Sequence, residues 1–303
     1  MLSASLDMGT MYFTQTGIGL MENLSLFGLY NFALLSRHNL RPTDLILIHL
    51  VSANCVVLFS KGIPQTMAAF GWRYFLDDTG CKLVFYFHQV TTGVSFSTIC
   101  LINGFLVIKL NPSIWSWMEL KIRPVKFIAF CCFLCWILHL MINLFVPTTV
   151  NGPLNGKNVS VKSNYGYCSW HMKEGFVDSL ITVIYFPPDF MSLGFMVWAS
   201  SPLVLVLRRH KQRVQHICRN RPSHEARATC TILILMSSFG TFYSASSILT
   251  IWMTLAVNRG QWRVSISVFV TLSFPTFFPF VLIISDTCVF QLCFACRARK
   301  SIS

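Results

Sequence analysis

Long apolar runs separated by short polar stretches dominate the chain. Seven of these runs reach the roughly 20 residues that an α-helix needs to cross about 30 Å of hydrocarbon. They fall at 11–35, 43–70, 83–110, 124–148, 177–207, 228–257 and 264–286, bounded by charges, Pro or Gly. The runs are continuous and lack the strict alternation of a barrel strand, and a helix satisfies its own backbone in lipid. The pattern therefore predicts an all-α membrane protein, with a single seven-transmembrane helix bundle over 1–303.

Composition removes the soluble alternatives. Hydrophobic residues make up 54% and charged residues 12% of the 303 positions, about half the charge of an average soluble domain. The net charge of +13 would suggest nucleic acid in a soluble protein, but in a membrane protein it follows from basic cytoplasmic loops. Sixteen Lys and Arg fall in the first, third, fifth and last hydrophilic segments and seven in the others, with Lys61 inside a span. The basic side is expected in the cytosol, which puts the amino terminus outside and the carboxyl terminus inside. No Lys or Arg precedes Arg37, so the first run reads as a retained span and not as a cleaved leader.

Two features bear on this topology without using charge. The sequon Asn158-Val159-Ser160 lies in a loop assigned to the outside, where a glycan would be added. Asn23-Leu24-Ser25 also matches but lies within the first span. Of the 12 cysteines, Cys81 and Cys168 fall on the outer side. Two thiols in an oxidising compartment suggest a disulfide tying the second outer loop to the third helix, the alternative being two free thiols.

Ionisable and polar residues inside the spans mark candidate chemistry. Glu22 and Lys61 sit at similar depths, and a charge in hydrocarbon needs a partner. Either they form an intramembrane ion pair, or Lys61 snorkels or meets an anionic ligand while Glu22 is protonated. Asp189 follows Pro187-Pro188 in the fifth span, where a prolyl kink opens a helix toward a cavity or an acid caps freed backbone groups. Tyr86, Gln89, Thr92 and Phe96 recur at helical spacing in the third span, as Tyr243, Ser247 and Thr250 do in the sixth. They could line a pocket for a small amphipathic ligand or simply pack helices. Cys131, Cys135 and His139 share a face of the fourth helix but read as packing, because no fourth ligand completes a metal site. Cys293 and Cys296 suggest palmitoylation, with free thiols the alternative. No phosphate loop, zinc-protease motif or serine elbow is present, so neither an enzyme nor a resident cofactor or metal is expected.

Several strings carry a family resemblance. They are Gln15-Thr16-Gly17-Ile18-Gly19, Arg41-Pro42-Thr43-Asp44-Leu45, Gly62-Ile63-Pro64-Gln65-Thr66-Met67 and Gly80-Cys81-Lys82-Leu83-Val84-Phe85-Tyr86. Later come Trp198-Ala199-Ser200, Arg209-His210, Glu225-Ala226-Arg227-Ala228-Thr229 and Phe274-Pro275-Thr276. In this order they resemble the vomeronasal type-1 receptors, seven-helix G-protein-coupled chemosensory receptors. The resemblance implies a Cys81–Cys168 bridge, a glycan on Asn158 and coupling to a heterotrimeric G protein of the inhibitory class. It also implies a plasma-membrane location and a small pheromone-like ligand. The third helix departs from the family: His88-Gln89-Val90-Thr91-Thr92-Gly93 is neutral at two positions that are usually basic. Arg208, Arg209, Lys211 and Arg213 continue the fifth span and are the expected contact for the G protein and anionic lipid. Runner-up readings are a bitter-taste-type receptor, a non-signalling accessory member, and a small transporter. No internal repeat or ring of charge favours the last.

Overall fold

The computed structural model describes residues 2–36, 42–72, 75–109, 116, 124–152, 161–164, 167–171 and 261–285. Among these, α1 (Leu2–Ser36) precedes α2 (Pro42–Val57), which continues through a π-helical turn (Leu58–Gly62) into α3 (Ile63–Ala69). Next come α4 (Asp78–Lys109) and α5 (Pro124–Ile142), then a 3₁₀ turn (Asn143–Phe145) and α6 (Val146–Thr149). Short strands β1 (Val150–Asn151), β2 (Val161–Asn164) and β3 (Ser169–His171) precede α7 (Gln261–Ser285). The expected spans 177–207 and 228–257 lie outside the described residues.

The helices overlap the other five expected spans but are longer at several ends. α1 starts nine residues before position 11 and α4 five before position 83, because polar residues beyond the hydrocarbon still favour a helix that is already nucleated. The small sheet is an addition that helical periodicity did not predict. Its strand order is β1-β3-β2, antiparallel throughout, with Val150 opposite Trp170 and Asn164 opposite Ser169.

The distribution of side chains is inverted relative to a soluble protein. Large apolar groups such as Met21, Phe32, Phe130, Phe133, Met141 and Phe277 are exposed, whereas Asn23, Asn54, Thr91, Thr98 and Ser273 are buried. Exposed apolar groups are costly in water and cost nothing in lipid, and polar groups in lipid must turn inward. Among the described residues Leu6–Ser36, Pro42–Ala69 and Pro124–Thr149 are long and apolar enough to cross a membrane. α4 is more polar because it sits between neighbours, turning His88, Thr91, Ser95 and Thr98 into the protein.

One apolar core lies at the end of the bundle away from Cys81, where Tyr30, Leu50, Ile102, Ile128 and Phe278 meet from α1, α2, α4, α5 and α7. A second, at the Cys81 end, contains Phe85, Val146, Val150 and Tyr167. α2 packs most extensively on α4, and α1 lies against both α2 and α7.

The α1–α7 seam is polar. Tyr12 donates to Ser265 O at 3.0 Å, Gln15 to Phe269 O at 3.2 Å, and Asn23 Nδ2 to Pro275 O at 2.8 Å. Chain numbers rise together along the seam, so α1 and α7 run parallel. Pro279, having no N–H, deprives the Pro275 carbonyl of its helical partner, and Asn23 of α1 replaces it. Proline is tolerated in a membrane helix when a neighbouring helix re-satisfies the freed group in this way.

Candidate functional site

The Cys81 end of the bundle is shaped by two local devices. The first is the π turn. Pro64 cannot donate to Ser60 O, and its ring crowds that carbonyl; the backbone widens just before it, with the Ile63 N–H reaching Leu58 O. The extra residue turns the following side chains by about 100° relative to a regular helix. Gly62, at the end of this turn, lies against α1 so closely that a β-carbon there would fall 2.5 Å from Thr16 Oγ1.

The second device is a clamped loop. A disulfide joins Cys81 of α4 to Cys168, and Tyr167 beside it packs between Phe75 and Phe85 with ring centroids 5.9 and 6.4 Å away. Asp78 Oδ1 accepts the Gly152 N–H at 2.8 Å and its other oxygen pairs with Lys82. The Lys82 hydrogen bond, followed by that of the Gly152 amide, holds the Asp78 carboxyl below the ordinary aspartate value. Asp77 caps α4 by accepting the Gly80 N–H at 2.7 Å. The loop is thus held to one helix end by a covalent bond, a charged hydrogen bond and an aromatic plug.

Beneath it lie polar side chains that the helices bring together. Lys61, in the π turn, is partly buried and close enough to His88 of α4 for its charge to act on that ring. Deeper, Ser95 donates to Asn54 Oδ1 at 3.2 Å. Gln65 Oε1, His88 Nδ1 and Asn54 Nδ2 are buried and find no hydrogen-bond partner among the described residues. Glu22 Oε2 is likewise without one, so Lys61 is not joined to Glu22 through that oxygen.

Three of the four positions singled out on α4 are engaged within the protein. The Tyr86 hydroxyl donates to Leu140 O at 2.9 Å, Thr92 donates to His88 O at 2.7 Å, and Phe96 packs against the larger core. Gln89 is partly buried. On α5, His139 pairs with Ser97 at 2.8 Å, and Cys131 and Cys135 are free thiols. Asp189, Tyr243, Ser247, Thr250, Asn158, Arg208, Arg209, Lys211, Arg213, Cys293 and Cys296 lie outside the described residues.

Sequence reasoning missed Asn23, which it read only as a sequon within a span, and His49, which accepts from the Trp136 indole at 3.2 Å. For Asn23 the signal was present: the Pro275 and Pro279 pair leaves a carbonyl that some neighbour must satisfy. Gln65 and His88 carry no sequence signal beyond the strings at 62–67 and 88–93.

A sequence model of the vomeronasal organ pheromone receptor family matches residues 6–295. The chain belongs to this family. It is 59% identical to vomeronasal type-1 receptor 1 of Homo sapiens over 298 residues, covering 97% of this chain and 84% of the relative. It is 42% identical to human vomeronasal type-1 receptor 4 over 289 residues, covering 94% and 96%. Olfactory receptor class A-like protein 1 of Danio rerio is 27% identical over 280 residues, covering 92% and 89%. Membership in the vomeronasal pheromone receptors makes this chain a chemosensory receptor in a membrane, in a family of receptors and not of enzymes. In this vomeronasal-type receptor the disulfide-clamped loop is held at the end of the bundle that also carries the buried Gln65 Oε1 and His88 Nδ1.

Proposed function

We propose that the chain is a seven-span receptor of the plasma membrane that binds a small pheromone-like molecule in the outer half of its bundle and activates a heterotrimeric G protein of the inhibitory class. The amino terminus is outside and the carboxyl terminus in the cytosol. The observation that carries the reading is the family match, which runs through all seven apolar stretches from residue 6 to residue 295. The parallel run of α1 and α7 supports it, because the first and last helices of a bundle point the same way only when the number of crossings is odd.

The ligand-facing set is Lys61, Tyr86, Gln89, Thr92 and Phe96, with Asp189, Tyr243, Ser247 and Thr250 on the later spans. A pocket that is mostly apolar with a few convergent polar groups suits such a molecule. Arg208, Arg209, Lys211 and Arg213 meet the G protein and anionic lipid, Asn158 carries the glycan, and Cys293 and Cys296 carry acyl chains. Binding favours one helix arrangement over another, and its differential affinity is what opens the cytosolic face.

The test is nucleotide exchange on a co-expressed inhibitory G protein, with surface-labelled receptor exposed to fractionated animal secretions. A fraction that raises exchange on wild type, and a changed response for Gln89→Arg, is the expected result. Solute flux without exchange would overturn the receptor mechanism. Charge reversal at Arg208 and Arg209 is expected to abolish exchange and leave retention of the active fraction intact.

A further inference from the structure

Glu22 stands near the middle of Leu6–Ser36, a stretch long and apolar enough to cross a membrane. A helix rises 1.5 Å per residue, so its carboxyl lies close to the bilayer midplane, where a charge is most costly. An ionisable side chain at that depth is ordinarily met by a partner within the protein. Its Oε2 atom is buried and finds no hydrogen-bond partner among the described residues.

Helix geometry accounts for this. Asn23, the next residue, turns to α7 and bonds Pro275 O, and Gly19 lies against Leu58 and Thr276. Each step along an α-helix turns by about 100°, so Glu22 leaves α1 to one side of that seam and is half-buried. Ile18, one turn before it, is 47% exposed; Ser25, one turn after it, is also exposed. Phe32, two turns beyond Ser25 on the same side of α1, is 67% exposed. The acid therefore belongs to a row that looks onto lipid. Ser25 closes its hydroxyl on Met21 O at 2.6 Å, so the row has a small, satisfied side chain beside the acid, of the kind that lets another helix come near.

We propose that this row of α1 is the contact with a second copy of the chain, in which the two Glu22 carboxyls bond each other at the midplane. Two copies in one membrane share one orientation. A two-fold axis along the membrane normal then sets α1 against α1 in parallel, with each residue at the depth of its twin. Any other span would need a polar residue at just this level, whereas the second copy has one by necessity. The chemistry matches too. A carboxyl that keeps its proton both donates and accepts, so two of them satisfy each other in a medium where no water competes. A basic span would have to carry its own charge to the midplane before meeting the acid. The side-chain torsions of Glu22 let either oxygen turn to the contact. The contact lies apart from the ligand-facing set and does not depend on how the receptor signals.

Full-length protein carrying a donor or an acceptor fluorophore at its carboxyl end, mixed in phosphatidylcholine vesicles, tests the proposal by energy transfer at rising protein-to-lipid ratio. Transfer is expected to exceed the level that chance proximity gives at the same density. Glu22→Leu is expected to weaken association about three- to tenfold, whereas Glu22→Gln, whose amide also donates and accepts, keeps most of it. A benzophenone side chain in place of Ile18 is expected to yield cross-linked dimers through α1. One in place of Phe130 on α5, itself 58% exposed, is expected to yield none. Chance-level transfer by the wild type, unchanged association of Glu22→Leu, or dimers formed as readily from position 130 as from position 18 would each overturn the proposal. The first and last of these are read on protein that keeps Glu22, so they stand even where the leucine variant fails to fold.

Discussion

Asn23 is a residue whose chemistry is set by a residue more than 250 positions away. Its side-chain amide fills the gap that Pro279 leaves at the Pro275 carbonyl and also bonds Gly19 O at 2.7 Å. Asn23→Ala is expected to lower stability by about 1–3 kcal/mol, since a buried acceptor would be left unmade. Thermal unfolding of the full chain in lipid reads that loss. In a Pro279→Ala background the helix again supplies the missing N–H, so the same Asn23→Ala change is expected to cost clearly less; equal costs in both backgrounds would show that the two sites are independent. Asp78 allows a pH test at the same scale. Its folded carboxyl titrates below the free aspartate value, so its hold on Gly152 is present above the free value, about 3.9, and is lost as pH falls through the folded one. Hydrogen exchange of the β3 amides is expected to speed up in that acid range, and Asp78→Asn is expected to show the faster exchange already at neutral pH.

At the scale of elements, the contact between α1 and the second span depends on Gly19 and Gly62. Gly62→Leu is expected to force the two helices apart and cost about 1–3 kcal/mol, whereas Gly28→Leu, on an open face where a β-carbon meets nothing, is expected to leave unfolding unchanged. Both are read in the same thermal assay. The contrast also marks what the sequence could and could not disclose. The five spans that can be compared were readable because lipid accepts any apolar surface, so an uninterrupted run is sufficient signal. The π turn was not readable from periodicity, because one inserted residue changes which face Lys61 occupies without changing composition; Pro64 was its only trace. The small sheet was missed because its strands are two to four residues long and are held by a disulfide and an aspartate, not by an alternating pattern. Cys81 and Cys168 were readable as partners because the topology left just those two on one side. Tyr86 and Phe96 were placed on the third span, but spacing alone could not reveal that the Tyr86 hydroxyl bonds Leu140 O or that Phe96 lies against the larger core.

For the whole molecule, the inverted arrangement of apolar and polar side chains fixes the solvent, and the parallel α1–α7 seam fixes the relative direction of its two outermost described helices. Epitope tags at the two chain ends are expected to be accessible on opposite faces of intact cells; labelling of both from one face would refute the odd number of crossings. Cys81→Ser is expected to free the loop that carries β3 while leaving the apolar core at the far end intact, so protease cleavage between β1 and β3 should rise with little change in helical circular dichroism. The seam also has a consequence for biosynthesis. Tyr12, Gln15 and Asn23 leave the ribosome more than two hundred codons before their partners on Ser265, Phe269 and Pro275. Until then α1 lacks the α7 carbonyls that these side chains bond, a state suited to capture by an insertion chaperone and to quality-control inspection. Release from that hold would be timed by the arrival of α7.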